Sequence, residues 1–432
     1  MFSNKSTIAI VAILLGTFIV PINSTMVSVG LQSVATSMNM SMSSITWVVT
    51  IYLIVMTVAQ PLAGKIGDLY GNRRIFLVGI VLFLVASIVC MLASNFITLL
   101  IGRAVQAFGG ALITPNATAM LRYITPKEKL VQTFGIFGFS MSLGAAIGPL
   151  LGALLIEQWS WHATFAVNVP ILVVAFMAAM RYVPHVEVQK QAKLDLIGSS
   201  LFAITLSSIV LIVTQQNYTN VVLWLIVIVG AIAFVRYEQR IEAPLIDFQL
   251  FRKRNFRAAN MSILLNNGVM YGTLLLMPTL LVIDERFTLT QIGAALFTFS
   301  VAISIFSWIG GKFEGSIGRK RTITLAFIIT ALAMCSYFLL ITNSSLLVLH
   351  VILFVAGIGL GIGVPSMQAA SLSDVDKSAS GVASGIYSTF RYIGSTIASV
   401  LISLQLGASI MMSVLVIFAV VGIVVSAQFE EM

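Results

Sequence analysis

Charge is what this chain has least of. Only 9% of its 432 residues are Asp, Glu, Lys or Arg, against the roughly 25% of a soluble globular domain. Hydrophobic residues make up 59%, and the mean hydropathy is +1.03. No soluble fold hides that much apolar surface, so a soluble enzyme or binding module is excluded. Cysteine is scarce as well. Cys90 and Cys335 both fall in apolar runs, which leaves neither a disulfide framework nor a thiolate metal site. His-Glu-x-x-His, paired membrane aspartates and a Gly-x-Ser-x-Gly elbow with partners are all missing, so no catalytic residue, metal or cofactor is expected. The longest polar stretches, about 182–194 and 237–256, are too short to fold alone, which excludes a receptor ectodomain. The first apolar run, from Lys5 to about Val20, lacks a small-residue cleavage pattern and reads as a membrane helix rather than a removable signal.

What fills the chain is apolar runs of membrane length. A bilayer core of about 30 Å takes about 20 residues of helix. Spans are expected near 7–30, 45–64, 75–93, 97–121, 131–156, 162–181, 195–214, 220–236, 257–283, 290–309, 321–341, 346–369, 380–405 and 409–428. The pattern predicts an all-α, multi-pass integral membrane protein of the plasma or inner membrane, with about fourteen helices. The formal net charge of +9 does not form a basic face for nucleic acid. Arg286 falls in an outer loop and Arg103 and Arg391 lie inside spans. The other 21 of the 24 Lys and Arg fall in alternate loops. The positive-inside rule makes those loops cytoplasmic and puts both termini on the same side. Trp47, Trp159 and Trp161 then fall at outer interfaces, where amphipathic rings act as anchors.

A short pattern occurs twice. Gly64-Lys65 is followed by Gly71 and the pair Arg73-Arg74; Gly311-Lys312 is followed by Gly318 and Arg319-Lys320. The register predicts a duplicated architecture, with glycine permitting a sharp turn and parallel halves enclosing a midplane site. Asp68 can sit among the basic residues and lock the two bundles at the inner face. On these residues the chain resembles the major facilitator superfamily, and within it the fourteen-helix drug:proton antiporters. Residues 64–74 match the signature between helices 2 and 3, and Arg103-Ala-Val-Gln106 matches the membrane arginine motif. Gly144-x-x-x-Gly148-Pro149-x-x-Gly152 matches the antiporter motif. The segments from Trp159 to Pro170 and from Pro244 to Phe251 are similar to two more of the subgroup's motifs.

The resemblance implies two six-helix bundles, 1–182 and 257–432, with two extra helices and a basic cytoplasmic linker at 183–256. It implies multidrug efflux: export of hydrophobic or cationic drugs and dyes by alternating access, in exchange for protons and without a cofactor. The protein is expected to act as a monomer in the lipid bilayer, with no nucleic acid partner. It also implies that the Gly144–Gly152 packing seals a leak path. One departure stands out. Where the family pattern carries a helix-1 aspartate, this chain has Asn23, and no Asp or Glu lies deep in any span. The outer acids Glu157, Asp284 and Glu285 therefore become the candidates for proton coupling. Arg103 and Arg391 are candidates because a charge inside a membrane is costly and is kept for a purpose. Tyr52, Gln60, Gln106, Asn266, Asn267 and Tyr271 place polar tips inside spans, and Met26, Phe108, Phe139 and Met270 offer adaptable apolar surface. Gly357, Gly359, Gly361 and Gly363 lack a preceding strand and read as helix packing, not a nucleotide loop. Export of an endogenous lipid, osmolyte or siderophore, or a facilitator without proton coupling, are the alternatives that the residues leave open.

Overall fold

The computed structural model describes residues 4–185, 195–214, 217–241, 244, 246, 248–283, 289–339, 345–403 and 407–430. There is no strand among them. The helices are α1 (Asn4–Ser37), α2 (Met42–Ile45), α3 (Trp47–Tyr70), α4 (Asn72–Met91), α5 (Phe96–Ile124), α6 (Leu130–Gln158), α7 (Ala163–Ala166) and α8 (Asn168–Tyr182). After these come α9 (Leu196–Thr214), α10 (Val221–Glu238), α11 (Arg254–Ile283), α12 (Leu289–Ile317), α13 (Arg319–Ser336), α14 (Leu346–Ile362), α15 (Val364–Ser373), α16 (Ser380–Ser403) and α17 (Ala408–Ser426). Among the described residues, ten helices or joined helix pairs are long and apolar enough to cross a membrane, and α9 contributes a shorter apolar run, Ile197–Ile212. The other exceptions among the long helices follow from their side chains. Asn260, Asn266 and Asn267 sit on α11, α13 opens on Arg319-Lys320-Arg321, and α16 is rich in Ser, Thr and Gly around Arg391. Helices enclosed by other helices carry such residues without meeting lipid.

One packing plan is used twice. In the first half α1 lies against α6 and α8, and α5 lies against α3 and α4. In the second half α11 lies against α16 and α17, and α14 lies against α12 and α13. The halves meet along two equivalent seams, α3 with α16 and α12 with α6. The two copies of the short pattern make the same turn. Gly71 (φ 97°) and Gly318 (φ 86°) are the positive-φ glycines of the described residues, a conformation in which a Cβ is strained. The amide of Gly71 closes onto Gly67 O at 2.8 Å, and that of Gly318 onto Glu314 O at 3.0 Å. The copies differ in their acids. In the second, Glu314 is spent locally on Arg319, 3.2 Å away, and the position matching Asp68 is Gly315.

Close approach of backbones explains the glycines in both halves. A Cβ on Gly144 would stand 3.1 Å from Phe18 O, one on Gly148 2.9 Å from Ile22 O, and one on Gly152 3.0 Å from Met26 O. This stripe seats α6 on α1, while Pro149 faces outward. Gly357 and Gly361 press on α12, and Gly359 and Gly363 on α13. Without a hydrophobic drive between helices in lipid, such small-residue contact is what holds them. Two readings from sequence change here. Trp161 is 3% exposed and packs with Val27, Val34 and Phe165, so it is core rather than an interfacial anchor; Trp159 is 70% exposed. Met26 is fully buried, packed against Gly152 in the α1–α6 contact.

The extra pair, α9 and α10, packs together and leans on α3 and α16. Asp195 caps α9 by accepting from Gly198 N at 2.8 Å, Glu238 accepts from Ile246 N at 2.9 Å, and Lys65 of α3 donates to Pro244 O. The pair is thus fastened to the helix that forms one of the seams. Gly148→Val forces a side chain into the α1–α6 contact, and overpacking costs about 1–3 kcal/mol. Its thermal midpoint in detergent should fall, while Gly293→Val, where a Cβ meets nothing within 4 Å, should leave it unchanged.

Candidate functional site

Arg103 stands on the second turn of α5 and is wholly buried. Its guanidinium donates to Asn23 Oδ1 and Gln106 Oε1, both at 2.6 Å, and its Nε to Val48 O at 3.2 Å. The ring of Tyr52 lies beneath the cation, 4.2 Å away at the centroid, with Phe165 on another side at 5.9 Å. Gln106 donates onward to Ser87 Oγ at 2.8 Å, which also takes Asn168 Nδ2 at 3.3 Å. One Arg side chain therefore ties α1, α3 and α5 together and reaches α4 and α8 through amides. All its partners are neutral. Nη2 of Arg103 and Nδ2 of Asn23 have no partner.

The second half holds a looser counterpart at Arg391, midway along α16 and half-buried. Its Nη2 donates to Gln368 Oε1 of α15 at 3.3 Å, its Nε has no partner, and the Tyr387 ring is 5.5 Å away. Asn267 donates to Arg391 O at 3.1 Å and to Ser395 Oγ at 3.2 Å, tying α11 to α16. Asn266 donates to Leu360 O and belongs to helix packing between α11 and α14.

Below this level, at the face that carries most of the basic residues, the halves are latched. Asp68 Oδ1 accepts from Gly381 N and Oδ2 from Val382 N, both at 2.8 Å. These are the free amides of the first turn of α16, where a carboxylate meets the positive end of the helix dipole. Asn72, held by Asn116, also donates to Asp68 Oδ1 at 3.3 Å. Arg122 reaches across to Val375 O, Asp376 O and Ser380 Oγ. The seam is drawn tight above the latch, since a Cβ on Gly385 would stand 2.6 Å from Gln60 O. Gly64 faces Gly381 in the same way.

The structure gathers some of the residues singled out from sequence and scatters others. Asn23, Tyr52, Arg103 and Gln106 form one cluster, and Asn267 and Arg391 another. Glu157 is exposed in the last turn of α6. Asp284 and Glu285 lie outside the described residues. Arg73 serves the first half alone, donating to Met180 O and bonding His185, and Arg74 is exposed. It is a helix end, not the basic pair, that takes Asp68. Sequence reasoning assigned no role to Ser87, Asn168, Gln368, Tyr387 or Tyr392. Asn168 could have been found, because it stands inside a quoted motif.

The family model of the Major Facilitator Superfamily matches residues 13–399. The chain is 43% identical to the uncharacterized MFS-type transporter YvkA of Bacillus subtilis, over all of this chain and 98% of that protein. It is 30% identical to the multidrug resistance protein Stp of Mycobacterium tuberculosis, over 93% of this chain and 76% of Stp. Among solved structures, the human organic anion transporter MFSD10 superposes with a TM-score of 0.73 at 15% identity, over 98% of this chain and all of the other, which speaks for the fold alone.

Removing Arg103 leaves Asn23 Oδ1 and Gln106 Oε1 without a donor, and each orphaned buried group costs about 1–3 kcal/mol. Arg103→Ala should therefore lower the thermal midpoint as well as any activity. Lysine has no fork to meet three acceptors, so Arg103→Lys should rescue neither. Asp68→Asn removes the charge and one acceptor from the latch, where a hydrogen bond to a charged group contributes about 1.5–3 kcal/mol. In a Cys335→Ser background carrying Ser384→Cys at the seam, thiol labelling should quicken when Asp68→Asn is added. Equal labelling rates would mean that the latch does not govern opening.

Proposed function

Because this chain belongs to the major facilitator superfamily, we propose that it is a secondary active exporter of small hydrophobic compounds, working by alternating access between its two halves. It is a transporter and not an enzyme. The finer reading is a fourteen-helix chain with both termini cytoplasmic, bundles at 1–182 and 257–432, and an accessory pair between them. In that orientation the latched face is the inner one. The observation that carries the reading is the combination of two equivalent seams with hydrogen-bonded closure at one face only a few turns below Arg391. A rocking exchange needs such a contact, strong in one state and replaceable in the other. The name of Stp, a multidrug resistance protein, supports drugs or dyes as the substrate class.

Two modes of drive stand for this site. Exchange for protons is what the fourteen-helix drug:proton antiporters would use, with Glu157 as its described outer acid. Export without proton exchange is favoured by one observation: the residue bonded to Arg103 is Asn23, which cannot titrate. Proteoliposomes separate the modes. Loaded with the purified chain and no nucleotide, they should move a hydrophobic dye against its gradient under an imposed pH difference or an imposed potential, with internal pH followed in parallel. Dye movement with opposite proton movement means antiport; dye movement under potential with constant pH means the second mode. Movement in neither case overturns the transport reading of the site.

A further inference from the structure

Asp68 is taken by a helix end, which leaves the basic pair of its own turn for another purpose. Arg73 and Arg74 stand in the first turn of α4, and among the described residues neither is paired with an acid. Arg73 is held at the end of α8, donating to Met180 O and, at 2.9 Å, to His185 Nε2. Its Nε is buried and has no partner. Arg74 is exposed, with no partner among the described residues. The second copy of the turn is wired differently, because there Arg319 is buried and spent inward on Glu314 at 3.2 Å.

Beside the first copy, between α4 and α8, runs a groove of about 520 Å³. Arg73, Arg74 and His185 stand at one end of it, and Leu77, Val81 and Phe176 line its wall. It lies on the outer surface of the bundle, where Arg74, Val78, Val81 and Val85 form one exposed stripe at helical spacing. Charge comes first along this stripe and apolar surface follows. From Arg74 to Val85 the helix rises about 16 Å at about 1.5 Å per residue, close to one leaflet of a hydrocarbon core about 30 Å thick.

We propose that this groove is a binding site for an anionic phospholipid, its phosphate at Arg73 and Arg74 and an acyl chain along Val78 and Val81. The positive-inside rule alone places basic residues at helix ends. This end adds an apolar wall, which a free anion cannot use, and two adjacent guanidinium groups without an acid. A planar fork of donors suits phosphate oxygens, and basic pockets between membrane helices recruit acidic headgroups. A lipid with no net charge gains the wall but not the charge pairing. The proposal goes beyond the transport reading and does not depend on it, since a chain that moved no substrate would still carry the groove.

Native mass spectrometry of the full chain in detergent reads bound lipid directly, apart from any change in stability. With phosphatidylglycerol and phosphatidylcholine of the same acyl chains supplied in equal amounts, the first lipid retained should be phosphatidylglycerol by roughly tenfold or more, the value of one hydrogen bond to a charged group. Excess glycerol phosphate should not displace it. Arg74→Gln, which breaks no described contact, should lower the preference, and Arg73→Gln added to it should bring the two lipids level. Arg321→Gln, the matching exposed arginine of the second copy, should leave the preference intact. Equal retention in the wild type, a preference untouched by Arg74→Gln, or an equal loss from Arg321→Gln would each overturn the site. Displacement by glycerol phosphate would overturn it too, since the arginines would then hold an anion without the wall.

Discussion

An arginine placed in the apolar interior without an acid has to be solvated by dipoles, and the first half of this protein is arranged around that requirement. Isolated charge at the centre of a membrane costs about 2.5–3.5 kcal/mol on insertion scales. Arg103 offsets this with a backbone carbonyl from α3, an amide from α1 and an amide from its own helix. Those acceptors must themselves be held, which Gln106 does through Ser87 and thereby through Asn168. Five helices are fixed relative to one another by one cation. The ring of Tyr52 closes the assembly, lying 4.2 Å from the cation at its centroid. A Lys or a truncated residue at this place would release all of these restraints together.

The second half has the same plan with less closure, and the difference is informative. Arg391 occupies the middle of α16 with a single side-chain acceptor, and its helix is the one whose first turn is gripped by Asp68. Any movement of α16 that frees those amides also moves Arg391 relative to Tyr52. The latch and the polar centre are therefore linked through one rigid helix, about ten residues apart at about 1.5 Å of rise per residue. The linkage needs no wire of side chains. Glycines along the seam, Gly64, Gly381 and Gly385, make the contact a close one between backbones, which can be sealed or parted but hardly compressed.

Much of this was legible in the sequence, and for identifiable reasons. Apolar runs of membrane length, the bias of Lys and Arg, and the repeated Gly-Lys pattern depend on one residue at a time or on short spacing. Gly71 and Gly318 take their positive φ in the same turn of each half. The stripe Gly144, Gly148, Gly152 announced a close helix contact, though not that α1 was the partner. What stayed hidden depends on which face of a helix looks inward. Met26 and Trp161 read equally well as cavity lining and as interfacial anchor, and both are core. Ser87 and Gln368 are ordinary residues until the fold sets them beside a guanidinium. The partner of Asp68 is a helix end 313 residues away, and no sequence pattern marks a backbone amide as a ligand.

The absence of an interior acid gains its meaning only in three dimensions. Read along the chain, Asn23 is a lost aspartate and raises the question of what replaced it. Set 2.6 Å from Arg103, it is a neutral acceptor that leaves the cation uncancelled. With an aspartate there, the pair would be neutral when ionised and cationic when protonated, so the charge of the centre would follow pH. With asparagine the charge is constant. This position then offers no titration by which one state is told from another, and any coupling to protons has to act elsewhere in the chain.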